Sequence, residues 1–208
     1  MTFYQFARGI VLSLFKVVFR VRVVGKERVP KTGAYIVAPS HRSILDIPFA
    51  AFITGRTVRF LAKDDLFSTP FGERLFDALG AVKVERGTAD RGALRVLEQV
   101  LDEGSPVAVF PEGTRRSGPE IAELYAGAAY LAIKLGVPIV PVGIGGSEHI
   151  LPKGKLFPRI HRVAVSVGRP ILPIVPDGRS RRAAATKLTQ ELHDELQRCF
   201  DDAERLAR

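Results

Sequence analysis

Short apolar runs of four or five residues alternate with stretches of helical periodicity along almost the whole chain, and that alternation leaves few folds open. The runs at 21–24, 34–38, 58–62, 81–85, 107–110, 139–142 and 163–167 are rich in Val, Ile, Ala and Phe and read as strands. Between them, 43–53, 70–79, 89–101 and 127–135 read as helices, with Thr88 placed to cap the third and Gly104 to end it. Residues 182–206 read as one long amphipathic helix with Leu188, Leu192, Leu196 and Phe200 along a single face. Helical crossovers bring strands together in parallel, so the expected fold class is α/β, an αβα sandwich on a mixed, largely parallel sheet. The chain of 208 residues is expected to divide into an amphipathic N-terminal helix, residues 1–20, and a single domain, residues 21–208, large enough for a sizeable core. Residues 173–179 read as an exposed loop before the last helix.

Residues 3–19 gather Phe3, Phe6, Ile10, Leu14, Val17 and Val18 on one broad face, with Gln5, Ser13, Lys16 and Arg20 on a narrow strip opposite. The formal charge is +9, and residues 1–31 carry seven basic side chains against the single acid Glu27. A basic amphipathic helix suits an anionic membrane surface; a terminal helix docked on the protein's own core has the same pattern. No run reaches the roughly 18–20 uncharged apolar residues of a spanning helix. No small-residue cleavage site follows the apolar stretch, so it is not expected to be a signal peptide. Nucleic acid is not an expected partner, because the basic residues are not interleaved with aromatic ones. The single Cys199 excludes an internal disulfide framework and a cysteine-based metal cluster, and His149, His161 and His193 lack metal-ligand spacing. No metal site is expected.

Two segments carry chemistry. In Ser40-His41-Arg42-Ser43-Ile44-Leu45-Asp46 a base and a carboxylate stand five positions apart. On an ideal helix those positions do not share a face, so the pair meets only if His41 precedes the first turn and its ring folds back on Asp46. Such a pair is a general base with its orienting partner. A surface histidine and a helix-capping aspartate fit the same spacing. In Phe110-Pro111-Glu112-Gly113-Thr114-Arg115 a strand ends in a turn that brings backbone donors beside an acid and a guanidinium. Arg115 has the geometry to grip a phosphate, and a tight turn with solvated charges fits equally. Arg86, at the end of a strand flanked by Gly80 and Gly87, is a phosphate ligand or a surface charge. The run 137–142 has prolines at 138 and 141, which argues for an edge strand or a bulge, lining an acyl groove or forming ordinary core. Gly143-Ile144-Gly145-Gly146 has its third glycine misplaced for a dinucleotide fingerprint, and Pro152 follows where a helix should run, so no nucleotide cofactor is expected. No Gly-x-Ser-x-Gly elbow is present.

Taken in order, these segments resemble the lysophosphatidic acid acyltransferases, the bacterial PlsC-like group of glycerolipid acyltransferases. The family's H-x-x-x-x-D motif matches His41 to Asp46, and its glycine–strand–arginine motif matches Gly80 to Arg86. Its F-P-E-G-T-R-S motif matches Phe110 to Arg115, with Arg116 where the serine usually stands. Its V-P-I-V-P-V motif matches Val137 to Val142, and Phe60 to Phe67 is similar to the segment ahead of the second motif. The resemblance spans about residues 20–172. It implies that His41 is the general base and Asp46 its partner, that Arg86 and Arg115 bind the acceptor phosphate, and that Glu112 contacts the glycerol region. It further implies that the backbone at Gly113 and Thr114 polarises the thioester carbonyl and that Lys63 contacts substrate. The implied activity is acyl transfer from acyl-CoA or acyl-carrier protein to the sn-2 hydroxyl of lysophosphatidic acid, without a cofactor, at the cytoplasmic face of a bacterial membrane. One position departs from the family. Where many members carry Phe-Lys-x-Gly, this chain has Leu124-Tyr125-Ala126-Gly127, and Tyr125 brings no positive charge. A different lysophospholipid or phosphorylated alcohol as acceptor, or a non-catalytic lipid-binding module, are the alternative readings.

Overall fold

The computed structural model describes residues 3–63, 68–69, 73–74, 80–84, 91–151, 159–174 and 180–208. Among these, seven strands form one sheet: β1 (Arg22–Val24), β2 (Ile36–Pro39), β3 (Arg59–Lys63), β4 (Ala81–Val84), β5 (Val107–Ala108), β6 (Ile139–Gly145) and β7 (Ala164–Val167). The helices are α1 (Phe3–Val18), α2 (Asp46–Ala50), α3 (Arg91–Asp102), α4 (Gly127–Leu135), α5 (Ser147–Ile150) and α6 (Arg181–Ala207). The strand order is β1-β7-β6-β2-β5-β3-β4, parallel throughout except where β6 meets β7. The expected mixed, largely parallel sheet is therefore present. The expected helix over 70–79, the Thr88 cap and Arg86 lie outside the described residues, as do 64–67, 175–179 and the side chain of Lys63.

Side chains of each strand alternate between two cores. Val37, Phe49, Val142, Ile144 and Val165 belong to one, against which Phe15 and Val18 of α1 also pack. Ile36, Ala38, Val107 and Ile139 belong to the other, together with Leu97 of α3, Leu131 of α4 and Leu188, Leu192, Leu196 and Phe200 of α6. Helices thus cover both faces, as an αβα sandwich requires.

Of the edge and bulge expectations for strand β6, the structure has the bulge. The strand lies between β2 and β7 and is buried along its full length, so it is not an edge. Beside Pro141 the register slips by one residue, from Val142↔Val167 to Ile139↔Ile171, with the extra residue on the 168–171 side. The Pro141 carbonyl accepts from Gly168 N at 2.9 Å, and no ladder bond is asked of its nitrogen. The glycines that follow have a packing role. A Cβ at Gly143 would sit 2.1 Å from Cys199 O, and one at Gly145 would sit 2.3 Å from Ala203 C. Helix α6 therefore rests on bare strand backbone, and no larger residue fits beneath it.

Because β2, β5 and β6 run parallel, the segments after them leave the sheet at one end. Helix α1 reaches the same end. Phe19, just beyond it, accepts from Val163 N at 3.0 Å. Phe15 and Phe19 pack their rings on Phe49 of α2 at centroid distances of 5.6 Å each. Leu14 and Val17 remain 59% and 75% exposed. No helix among the described residues is long and apolar enough to cross a membrane.

Candidate active site

The neighbours β2 and β5 bring together two segments about seventy residues apart in sequence. Strand β2 is continued past Pro39 by Ser40, whose N donates to Val142 O at 2.9 Å and whose hydroxyl accepts from Ile144 N at 2.9 Å. The next residue, His41, is in a loop and turns back. Its Nδ1 lies 3.1 Å from Asp46 Oδ2, and that same oxygen accepts from Arg42 N at 2.6 Å and Ser43 N at 2.7 Å. The helix therefore starts at Asp46, three residues later than the sequence suggests, because the carboxylate holds the N–H groups that an earlier start would have placed in the helix. The geometry needed for a pair five apart is met.

Asp46 is wholly buried and already accepts two backbone protons, so it serves as an acceptor toward the ring as well. This places the imidazole proton on Nδ1 and leaves Nε2 with its lone pair. The His41 ring stacks on Phe110 at 4.1 Å between centroids, and 16% of its side chain is exposed. Stacking and the carboxylate together fix its orientation.

The second carboxylate lies behind the first. Glu112 is 0% exposed. Its Oε1 accepts from His41 N at 2.9 Å, and both oxygens accept from Arg42 Nη1 at 2.9 Å. Its Oε2 also accepts from Ala122 N at 3.2 Å. The expectation that Glu112 faces the acceptor's glycerol does not match this placement, since its lone pairs are taken up by the protein. Its guanidinium partner is equally enclosed. Arg42 donates to Gly118 O at 3.3 Å and Glu120 O at 2.8 Å, and lies 4.5 Å over the Phe200 ring of α6. Arg42 was not singled out from the sequence. Its partner is seventy positions away, and nothing in the neighbouring residues marks it.

The turn after β5 closes against this pair. Gly113 N donates to Phe110 O at 3.0 Å, and Arg116 N donates to His41 O at 2.8 Å. Gly113 has φ +68, and a Cβ there would come 2.6 Å from Cε2 of Tyr125. The Tyr125 ring thus lies on the turn's bare face, while 67% of the residue stays exposed. Gly113 and Thr114 are exposed, and Arg115 makes no ion pair among the described residues. Beside His41, a crevice of about 20 Å3 is lined by Ile47, Ala50, Ala51, Val58, Phe60, Ala108 and Phe110. The segment 139–142 is core and does not line it.

Ser40, Ser43 and Cys199 are not placed to act as nucleophiles. The Ser40 hydroxyl is spent on Ile144 N, and that of Ser43 reaches Leu151 O at 3.3 Å. Burial, reinforced by Glu195 and Asp202, pushes the Cys199 thiol up to about 12, so it holds no thiolate at neutral pH. The described residues contain no group of three or more His, Cys, Asp or Glu able to hold a metal. What the site offers is an oriented imidazole beside an exposed turn, an arrangement suited to group transfer onto an alcohol. The expectation that the Gly113 N–H is open to a substrate carbonyl does not hold, because it is given to Phe110 O.

Comparison with known proteins agrees. An acyltransferase family model matches residues 20–145. The chain is 34% identical over 142 residues to the 1-acyl-sn-glycerol-3-phosphate acyltransferase of Chlamydomonas reinhardtii, covering 66% of this chain and 42% of that one. It is 31% identical over 186 residues to a protein of Mycoplasma pneumoniae named a probable 1-acyl-sn-glycerol-3-phosphate acyltransferase, covering 83% of this chain and 69% of that one. The crystal structure of PlsC, the 1-acyl-sn-glycerophosphate acyltransferase of Thermotoga maritima, superposes with a TM-score of 0.68 at 28% identity, covering 93% of this chain and 83% of that one. The chain belongs to the acyltransferase family. It spans 42%, 64% and 39% of the lengths of three of the curated relatives it matches.

Proposed function

We propose that the chain is a 1-acylglycerol-3-phosphate O-acyltransferase, moving a fatty acyl group from acyl-CoA or acyl-carrier protein to the sn-2 hydroxyl of lysophosphatidic acid. The observation that carries this reading is the His41–Asp46 pair, with Nδ1 committed to a buried carboxylate and Nε2 left as the base. The names of the relatives supply the substrate class.

In this mechanism the acceptor hydroxyl attacks the thioester carbonyl carbon as its proton passes to Nε2 of His41. The oxyanion of the tetrahedral intermediate takes a hydrogen bond from the Thr114 N–H, since the Gly113 N–H is already given to Phe110 O. Collapse breaks the C–S bond, and the departing thiolate takes the proton back from the imidazolium. A thiol with a pKa near ~8.5 leaves with little acid assistance. Arg115, with Arg86, holds the acceptor phosphate and so fixes the hydroxyl against His41, and Lys63 adds a further contact. Glu112 acts at one remove. It holds Arg42 and the His41 backbone, and so positions the base. The reaction needs no metal or other cofactor. Helix α1, with Lys16 and Arg20 exposed beside Leu14 and Val17, rests on the anionic cytoplasmic face of the membrane as a peripheral anchor.

Thiol release from oleoyl-CoA, with and without lysophosphatidic acid, tests this reading beside His41→Ala. Release should require the acceptor and fall by roughly a thousandfold in the variant. Substantial turnover without His41 would remove it as the base.

A further inference from the structure

The most exposed large apolar side chain among the described residues is neither in the site nor on α1. It is Ile160, at 81%. Arg159 and Arg162 beside it are exposed, and neither makes an ion pair among the described residues. Arg162 Nη1 reaches the Arg208 carbonyl at 3.5 Å, and His161 Nδ1 lies 2.8 Å from Arg162 O. The segment's backbone is held at both ends. Arg159 N donates to Ile150 O at 2.8 Å, at the end of α5, and Val163 N donates to Phe19 O at 3.0 Å, just beyond α1. Leu151, which follows α5, accepts from the Ser43 hydroxyl of the catalytic loop at 3.3 Å. An apolar residue flanked by two exposed arginines that pair with no acidic side chain among the described residues is thus fixed at the catalytic end of the sheet, one hydrogen bond from the helix that leaves Leu14 and Val17 bare.

We infer that residues 159–162 make a second contact with the anionic bilayer, Ile160 entering the interface and Arg159 and Arg162 lying among the headgroups. This rests on the reading of α1 as an interface helix and adds a second point to it. The charge complementarity is that of basic side chains around one apolar insertion, the composition of interfacial segments. The geometric consequence is orientation. One helix lying on a bilayer leaves the domain free to roll about that helix's axis. A second contact off the axis stops the roll and turns the catalytic end toward the surface from which a lipid acceptor must come.

The experiment is done on the whole chain. Ile160→Cys is labelled with an environment-sensitive fluorophore at pH 7.5, where the buried Cys199, its thiol pushed up to about 12, does not compete. Vesicles of phosphatidylglycerol should shift the emission to the blue, and vesicles of phosphatidylcholine should leave it unchanged. In co-sedimentation, Arg159→Glu should weaken partition into phosphatidylglycerol roughly fivefold relative to the parent chain. Ile160→Asp should weaken it as well, while thiol release with a dispersed short-chain acceptor stays at the parent rate. If Leu14→Asp/Val17→Asp abolishes sedimentation while Ile160→Asp and the label report no contact, α1 binds alone and the second contact is overturned. If neither set of changes alters sedimentation, the interface reading of α1 falls with it.

Discussion

Asp46 and Glu112 are both fully buried carboxylates, and both collect donors from residues 41–43. They differ in the group they face. In the proposed mechanism Asp46 meets an imidazole that gains and loses a proton during turnover, whereas Glu112 meets a guanidinium whose charge is constant. One carboxylate therefore acts on a changing charge and belongs to the chemistry. The other neutralises a constant one and belongs to the architecture. Equal burial and similar hydrogen bonding do not imply equal roles; the titration behaviour of the partner separates them.

The sharpest test of that difference is Asp46→Asn. One oxygen, Oδ2, takes Arg42 N, Ser43 N and the ring, so the amide oxygen of the variant can keep all three donors while its NH2 takes the other position. What is lost is the negative charge that stabilises the imidazolium as it forms. Turnover should fall roughly a hundred- to ten-thousandfold, with the thermal midpoint little changed, read by thiol release beside calorimetry. Glu112→Gln should show the opposite emphasis. It leaves the Arg42 guanidinium buried without its counter-charge, costing about 3–5 kcal/mol of stability by urea unfolding. Arg42→Met/Glu112→Gln should recover part of that loss, because neither charge is then left alone. If Glu112→Gln instead kept its stability and lost only turnover, the division of roles drawn here would be wrong. The smallest effect is expected from Phe200→Leu, which removes the aromatic face under Arg42 and should cost about 1–2 kcal/mol in the same unfolding assay.

Much of this was legible before the structure. The strand runs at 81–85 and 163–167, the helix at 127–135 and the long helix with its Leu188–Leu192–Leu196–Phe200 row follow from local periodicity, and each appears within a residue or two. His41 and Asp46 were readable because they are close in sequence and their chemistry restricts how they can meet. What stayed hidden depends on contacts between distant segments. Arg42 gave no sign of Glu112, and Glu112 read as a substrate contact because its burial is created by Arg42 and Ala122. Proline 141 read as an edge or a bulge, and only the register of the neighbouring strand decides between them. The strand reading stopped at residue 142, short of Gly143 and Gly145, because their partner is the backbone of a helix more than fifty residues on. Arg86 lies outside the described residues, and its acceptor-side role rests on its motif alone.

Helix α6 has a consequence for the order in which the molecule comes to life. A ribosome makes chains from the N-terminus, and domains take shape as they emerge. His41, Asp46, Glu112 and Arg42 are all made long before Phe200, on which the Arg42 guanidinium lies, and before Gln197, which ties down Ile121 N at 2.7 Å and Pro119 O at 3.0 Å. A nascent chain that has reached only β7 therefore carries every reacting group but lacks the roof that braces them. On the proposed reading, the site is braced only once helix α6 has settled onto the two glycines of β6.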